Sequence, residues 1–176
     1  MQLLATLVRA IDRFNATVGR AVACIILIMI AVVIFEVVMR YGFRAPTQWA
    51  NELTTYIFAG YIFLGAGYTL LYRDHVNMDV VYASLSRRTR AVLDVLTAGF
   101  AFLYCYILVS TGWEAAWGAF LSGRTTGTDW NPPLYPALVL LPIGAGLLLL
   151  QLFAKFVRDL FCAITGRELV EDGEAP

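Results

Sequence analysis

Two charged residues, Glu36 and Arg40, stand at the end of an apolar run and are four residues apart. On an α-helix this spacing places both side chains on one face, where they can form an ion pair. Such a pair could anchor the helix at a membrane surface, contact another subunit, or act as a proton or ion site. Asn51 and Glu52 follow closely enough along the chain to join the same cluster.

Other residues that could do chemistry are few. His75 is the single histidine, so two histidines cannot hold a haem within this chain. The scattered cysteines, Cys24, Cys105 and Cys162, are typical of small apolar side chains rather than of a disulfide framework or a zinc site. The sequence contains no nucleophile-base pattern, glycine-rich phosphate loop or metal-ligand spacing. We therefore expect neither enzyme activity nor a cofactor.

Four long apolar segments must position these residues. Hydrophobic residues make up 60% of the 176 residues, and four runs contain no charged side chain: 21–35, 53–72, 95–113 and 130–154. A helix of about 20 apolar residues crosses roughly 30 Å of hydrocarbon. The sequence therefore predicts an all-α integral membrane protein with transmembrane helices at approximately 20–40, 48–72, 91–121 and 132–158. Asn131 and Pro132 favour the start of the fourth helix, with the asparagine as its cap.

Two further segments, near 2–15 and 77–88, have one apolar and one polar helical face. In the first, the apolar face holds Leu4, Leu7, Val8, Ile11 and Phe14, and the polar face holds Arg9, Asp12 and Arg13. Both segments are predicted to be amphipathic helices on the membrane surface. We predict one four-helix domain over 1–166, followed by a short, acidic, disordered tail at 167–176.

The basic residues predict the orientation. Of the 13 Lys and Arg residues, all but Arg40, Arg44 and Arg124 fall on the side that holds both termini. Because cytoplasmic loops carry an excess of Lys and Arg, both termini are predicted to be cytoplasmic. The net charge is zero, which gives no electrostatic basis for binding nucleic acid.

The predicted spans carry no Asp, Glu, Lys, Arg or His near mid-depth. Proteins that move ions or polar solutes unaided usually place such groups there. The sequence therefore favours a chain that supports a carrier over one that carries a solute by itself.

The stretch from Phe35 to Asp79 resembles a known family. The similar positions are the FEVVMRY run at 35–41, Trp49, Glu52-Leu53, Tyr56, the FLG run at 63–65, Tyr68, His75-Val76 and Asp79. In order and spacing they resemble the small permease (Q) subunit of tripartite ATP-independent periplasmic (TRAP) transporters. The rest of the chain is similar in length and in its four-span topology.

The resemblance implies a multi-pass subunit in the bacterial inner membrane, belonging to a sodium-driven importer of organic acids. It implies two protein partners: a large permease (M) subunit that holds the substrate and sodium sites, and a periplasmic substrate-binding protein (P) on the outer face. The small subunit would scaffold the large one among membrane lipids, with no catalytic, substrate or metal site of its own. The family pattern assigns packing and subunit contact to Glu36, Arg40, Trp49, Glu52, His75 and Asp79.

The alternative is a self-contained exporter of the small multidrug type, which also has four spans and would couple proton flow through Glu36. Glu36 is off-centre in its span and has Arg40 beside it, and the chain is long for that class. An intramembrane enzyme is the least favoured class, because the sequence lacks the necessary constellations.

Overall fold

The computed structural model describes residues 2–72 and 87–166, which form four long helices. They are α1 (Gln2–Val37, continued by a π-helical turn, Val38–Gly42), α2 (Gln48–Leu71), α3 (Arg87–Ser122) and α4 (Tyr135–Thr165). Each helix is long and apolar enough to cross a membrane. The predicted all-α, four-span architecture is therefore confirmed.

Helix α4 holds the others together. It packs against α2 and α3 and makes a smaller contact with α1, which packs mainly on α2. Helices α2 and α4 run in the same direction, since Gly60 lies beside Leu140 and Gly67 lies beside Leu147. We call the end with the turn 43–47 and the loop 123–134 the hairpin end. The opposite end, where α1 begins and α4 finishes, is the terminal end.

The separate surface helix predicted at 2–15 is wrong, because α1 continues without a break through these residues. Its 36 residues extend for about 54 Å at 1.5 Å per residue. Its buried face at the terminal end includes Val8, Asp12 and Asn15, whereas Leu7 and Phe14 are exposed. Asp12, placed on the solvent face by the sequence pattern, therefore faces the other helices.

Other predicted segments lie outside the described residues. The surface helix predicted at 77–88 lies outside them, except for residues 87 and 88, where α3 begins. The acidic tail at 167–176 also lies outside them.

The start predicted for α4 is wrong by a few residues. Asn131 has a positive φ of 50°, a conformation that asparagine tolerates better than most residues. Its side-chain oxygen accepts a hydrogen bond from the Gly127 N–H at 3.0 Å, so Asn131 closes the loop rather than capping the helix. Helix α4 begins at Tyr135, and Pro136 occupies the first-turn position expected of Pro132.

A row of small side chains packs α3 against its neighbour. Every seventh residue on one face is small and buried, namely Ala91, Ala98, Cys105, Gly112 and Ala119. Small residues let two membrane helices approach closely, and a seven-residue repeat suits a left-handed crossing. A Cβ built on Gly112 would lie 3.0 Å from Cδ of Pro142, in the middle of α4. This row attaches α3 to α4.

Gly144 provides a test of the packing between α2 and α4. A Cβ built there would overlap the backbone carbonyl of Phe63, which cannot move aside as a flexible side chain can. Gly144→Ala should therefore separate the helices and destabilise the fold by about 1–3 kcal/mol, the usual cost of overpacking. The thermal unfolding midpoint of the protein in detergent measures this loss.

Gly146→Ala is the matched control, because nothing lies within 4 Å of a Cβ built on Gly146. Its midpoint should be unchanged or slightly raised, since alanine favours a helix more than glycine does. Equal midpoints for the two variants would contradict the close packing of α4 on α2.

Candidate functional site

Glu36 joins the end of α1 to the start of α2. Its Oε1 accepts hydrogen bonds from Nε and Nη2 of Arg40, at 3.0 and 2.7 Å. Its Oε2 accepts the backbone N–H of Thr47 at 3.0 Å and the Thr47 hydroxyl. The ion pair predicted from the four-residue spacing is therefore present, and Glu36 also fixes the turn between the two helices.

The local backbone explains how one carboxylate reaches both partners. The last turn of α1 widens into the π-helical segment Val38–Gly42, and such turns are frequent at functional sites. Thr47 immediately precedes α2, and its hydroxyl points back to Glu36 instead of capping its own helix. The Glu36 side chain is 12% exposed and that of Arg40 is 51% exposed. Only the cation of this pair is widely accessible.

Two other predicted residues lie nearby but do different things. Trp49, in the first turn of α2, packs on Phe35 with ring centroids 5.6 Å apart. Glu52 does not join the Glu36 cluster as expected; its Oε2 accepts a hydrogen bond from the Thr126 hydroxyl at 3.2 Å. One turn further along α2, Tyr56 donates to the Pro133 carbonyl at 2.7 Å. These two bonds hold the loop 123–134 against α2.

His75 and Asp79 lie outside the described residues. Of the six predicted site residues, the structure therefore places Glu36, Arg40, Trp49 and Glu52. All four lie at the hairpin end, in or beside α1 and α2. Their assignment to subunit contact remains a prediction.

A buried polar cluster between α1 and α4 was not predicted from the sequence. Gln151, fully buried on α4, donates to Asp12 at 2.7 Å and accepts from the Asn15 amide at 2.8 Å. Arg158 then binds the second oxygen of Asp12 at 2.6 Å. This chain of contacts connects the start of α1 to the second half of α4. A lone glutamine in the charge-free run 130–154 was the one available signal, because such a buried amide must find partners.

Asn15 lies where α1, α2 and α4 meet. A Cβ on Gly67 would overlap its Oδ1, and that oxygen alone lacks a hydrogen-bond partner among the buried side-chain atoms of the described residues. One turn along the same contact, a Cβ on Gly19 would overlap the ring of Tyr68. Glycine is therefore needed on each helix for this close approach.

A second ionic contact joins α3 to α4 at the terminal end. Lys155 lies 2.9 Å from Asp94 on α3 and 3.2 Å from Asp159 on its own helix. Asp94 thus forms an ion pair with a residue of a neighbouring helix. Across residues 2–72 and 87–166, no group of three or more His, Cys, Asp and Glu residues could hold a metal ion. The contacts of Asp12, Gln151 and Lys155 fasten helices to one another.

Comparison with known families agrees with this architecture. The model of the DctQ component of tripartite ATP-independent periplasmic transporters matches residues 29–162. The chain belongs to this family. The match extends from the last quarter of α1 almost to the end of α4, and so covers far more than the 35–79 stretch that carried the resemblance.

Three relatives show how far the similarity extends. C4-dicarboxylate TRAP transporter small permease proteins DctQ of Pseudomonas aeruginosa and Vibrio cholerae are 30% identical over 131 residues and 25% identical over 166 residues. Those alignments cover 70% and 80% of this chain, and 60% and 71% of the relatives. A TRAP small permease of Haemophilus influenzae is 30% identical over 94 residues, 52% of this chain and 58% of that protein. The aligned part thus spans less than two thirds of two of these relatives.

Membership in the DctQ family and the four long apolar helices place the chain in the bacterial inner membrane as a multi-pass protein. It is a component of a transport system. The comparisons give no support to the alternative of a self-contained multidrug-type exporter.

The buried contacts of Gln151 make a prediction about stability. Gln151→Leu leaves the Asn15 amide and one oxygen of Asp12 without their partner, and should cost about 1–3 kcal/mol. Equilibrium unfolding in detergent measures the loss. Thr17→Val is the control, because the exposed Thr17 hydroxyl bonds only to its own helix, at the Arg13 carbonyl.

A double variant separates the hydrogen bonds from simple packing. Replacing both Asn15 and Gln151 by leucine removes a polar group that the single variant leaves unpaired. The double variant should therefore lose less unfolding free energy than the sum of the losses in the two single variants. Strictly additive losses would contradict the coupling between these two side chains.

Proposed function

We propose that this chain is the small membrane subunit of a sodium-driven, binding-protein-dependent importer of organic acids. In this role it scaffolds the large permease subunit and has neither a substrate site nor an enzymatic activity of its own. Its partners are the large permease (M) and a periplasmic substrate-binding protein (P). The two relatives named as C4-dicarboxylate transporter components favour a dicarboxylate among the organic acids.

The observation that carries the proposal is how Glu36 is held. Both of its oxygens bind groups of the chain itself, from Arg40 on one side and Thr47 on the other. A proton-carrying carboxylate must exchange its partners during each cycle, whereas this one joins two helices. The same use of charge recurs at Lys155 and Asp12, whose described partners lie on neighbouring helices or nearby on the same helix.

The helices are joined by polar contacts at both ends of the bundle, as a scaffold requires. At the hairpin end, Glu36 fastens α1 to Thr47 at the start of α2, and Glu52 fastens the loop 123–134 to α2. At the terminal end, Asp12 and Asp94 tie α1 and α3 to α4. These contacts resist sliding of one helix past another, which a static support for a moving partner requires.

Two transport measurements, one on the assembled system and one on the chain alone, distinguish the proposal from its alternatives. The chain is co-expressed with a TRAP large permease and a TRAP binding protein from its source organism, and uptake of labelled C4-dicarboxylate is followed with and without a sodium gradient. Uptake should require all three proteins and sodium. Liposomes that contain the chain alone should show no solute uptake and no proton-coupled export. Transport by the isolated chain would overturn the proposed role.

Glu36 allows a sharper test of assembly. Glu36→Ala frees Arg40 and the start of α2, and should reduce co-purification with the large permease and uptake without abolishing either. Thr47→Val should have a smaller effect, because the backbone N–H of Thr47 still reaches the carboxylate. Asp129→Ala, which removes an exposed carboxylate from the loop at the same end, is the control. If Glu36→Ala gives wild-type complex yield and uptake, Glu36 stabilises only the turn between α1 and α2 and does not contribute to assembly.

A further inference from the structure

Helix α1 carries a row of exposed residues in which two arginines are followed by two aliphatic side chains. The row consists of Arg13, Arg20, Leu27 and Ile34, all exposed. They are spaced by seven residues, which is almost two full helical turns, so all four lie on one side of the helix. Leu27 and Ile34 are 67% and 58% exposed. We call these four residues the amphiphilic row, because one end is cationic and the other is apolar.

The amphiphilic row crosses the edge of the hydrocarbon core at the terminal end. Gly19 lies beside Tyr68, three residues before α2 ends, and α2 is about as long as the hydrocarbon core is thick. Arg20 therefore lies at the edge of the hydrocarbon. Arg13 lies about 10 Å further out along α1, at the depth of the lipid headgroups. In the opposite direction, Leu27 and Ile34 continue the row into the hydrocarbon, about 10 and 21 Å from Arg20.

The side chain of Arg20 runs toward Arg13. Its Nε donates to the carbonyl of Ala16 at 3.3 Å, one turn nearer to the terminal end. The guanidinium group thus lies level with Ala16, about 4.5 Å along the axis from Arg13, as expected of an arginine that extends toward the membrane surface. Arg9 bends in the same direction, since its Nε donates to the carbonyl of Ala5 at 3.3 Å, and so it points away from Arg13.

Within the described part of the chain, neither Arg13 nor Arg20 forms an ion pair. Asp12 is next to Arg13 in the chain, but it faces the other helices. One of its oxygens accepts a hydrogen bond from Gln151 and the other binds Arg158. Two cations that approach each other at the hydrocarbon edge repel unless an anion lies between them. The charges of this surface therefore suit an anion.

We propose that the amphiphilic row binds one anionic phospholipid, whose phosphate lies between the guanidinium groups of Arg13 and Arg20. One of its acyl chains lies along Leu27 and Ile34. Guanidinium groups form strong, bidentate hydrogen bonds with phosphate, and basic sites at a membrane edge bind anionic headgroups. A lipid fits better than an acidic protein segment, because the aliphatic side chains continue in line with the arginines into the hydrocarbon. Such a site requires only that the chain lies in a membrane, whatever its transport role.

The lipid selectivity of the purified chain tests this site. The full chain in a neutral detergent is titrated with phosphatidylglycerol or with phosphatidylcholine, which has a phosphate but no net charge, and bound lipid is counted by native mass spectrometry. The wild-type chain should bind one phosphatidylglycerol more tightly than phosphatidylcholine. Glycerol 3-phosphate at the same concentration should not displace the lipid, because it lacks the acyl chains that contact Leu27 and Ile34. Displacement would indicate a site for free phosphate and would overturn the lipid assignment.

Three glutamine substitutions distinguish a defined site from general electrostatic attraction. Arg13→Gln and Arg20→Gln should each weaken the binding of phosphatidylglycerol by about fivefold, the factor for one basic residue near an anionic surface. Arg9→Gln is the matched control, because it removes the same charge from an exposed arginine that points away from the site. Its effect should be much smaller, since solvent and salt screen the more distant charge. All three variants should keep the elution profile and thermal midpoint of the lipid-free chain, because the described side-chain bonds of these arginines stay within α1.

Three outcomes would contradict the proposal. Equal affinity of the wild-type chain for the two lipids would overturn it. Equal losses in Arg9→Gln and Arg13→Gln would also overturn it, because the attraction would then be spread along the helix. If a variant with both Arg13→Gln and Arg20→Gln keeps its lipid but no longer co-purifies with the large permease, the arginines face an acidic protein segment instead. Each result concerns the lipid site alone, because the uptake measurements test the transport role separately.

Discussion

Hydrocarbon offers no hydrogen-bond partner, so a polar group inside a membrane span must find one within protein. The polar contacts of this chain follow from that constraint. Glu36, at the edge of its span, binds through both oxygens within the chain. Gln151 lies in a run without charge and is satisfied by Asp12 and Asn15 from another helix.

Part of the structure could be predicted because it depends on local properties. Four charge-free runs are enough to predict four spans, and a four-residue spacing is enough to pair Glu36 with Arg40. Both depend only on composition and on the periodicity of a helix. The positions of Trp49 and Glu52 also followed from the sequence, but the partner of Glu52 is a loop residue 74 positions away.

The features that could not be predicted depend on contacts between segments that are distant in the sequence. Gln151 and Asp12 are 139 residues apart, and nothing in either local sequence indicates the other. That contact also explains the wrong prediction for residues 2–15. The apolar pattern correctly predicted a helix at these residues. The polar side chain of Asp12, however, faces Gln151 and Arg158 rather than water. The small-residue row on α3 repeats every seven residues, so a search for glycines four residues apart misses it.

The position of the terminal-end ion pairs along the membrane normal follows from the lengths of the helices. Helix α2 has 24 residues, about 36 Å, and is close to the thickness of the hydrocarbon core. Gly67, near its end, lies beside Leu147, so the part of α4 from Gln151 onward runs level with or beyond the end of α2. Helices α1 and α3 extend alongside it.

Asp12, Asp94, Lys155 and Arg158 therefore lie where three helices project past the shortest one, at or outside the hydrocarbon edge. Charges placed there avoid the desolvation that mid-depth charges would suffer, and they fasten the projecting helices to each other. In the proposed scaffold, projecting helices fastened together in this way would resist tilting in the membrane. That resistance would hold the support steady while the partner subunit moves.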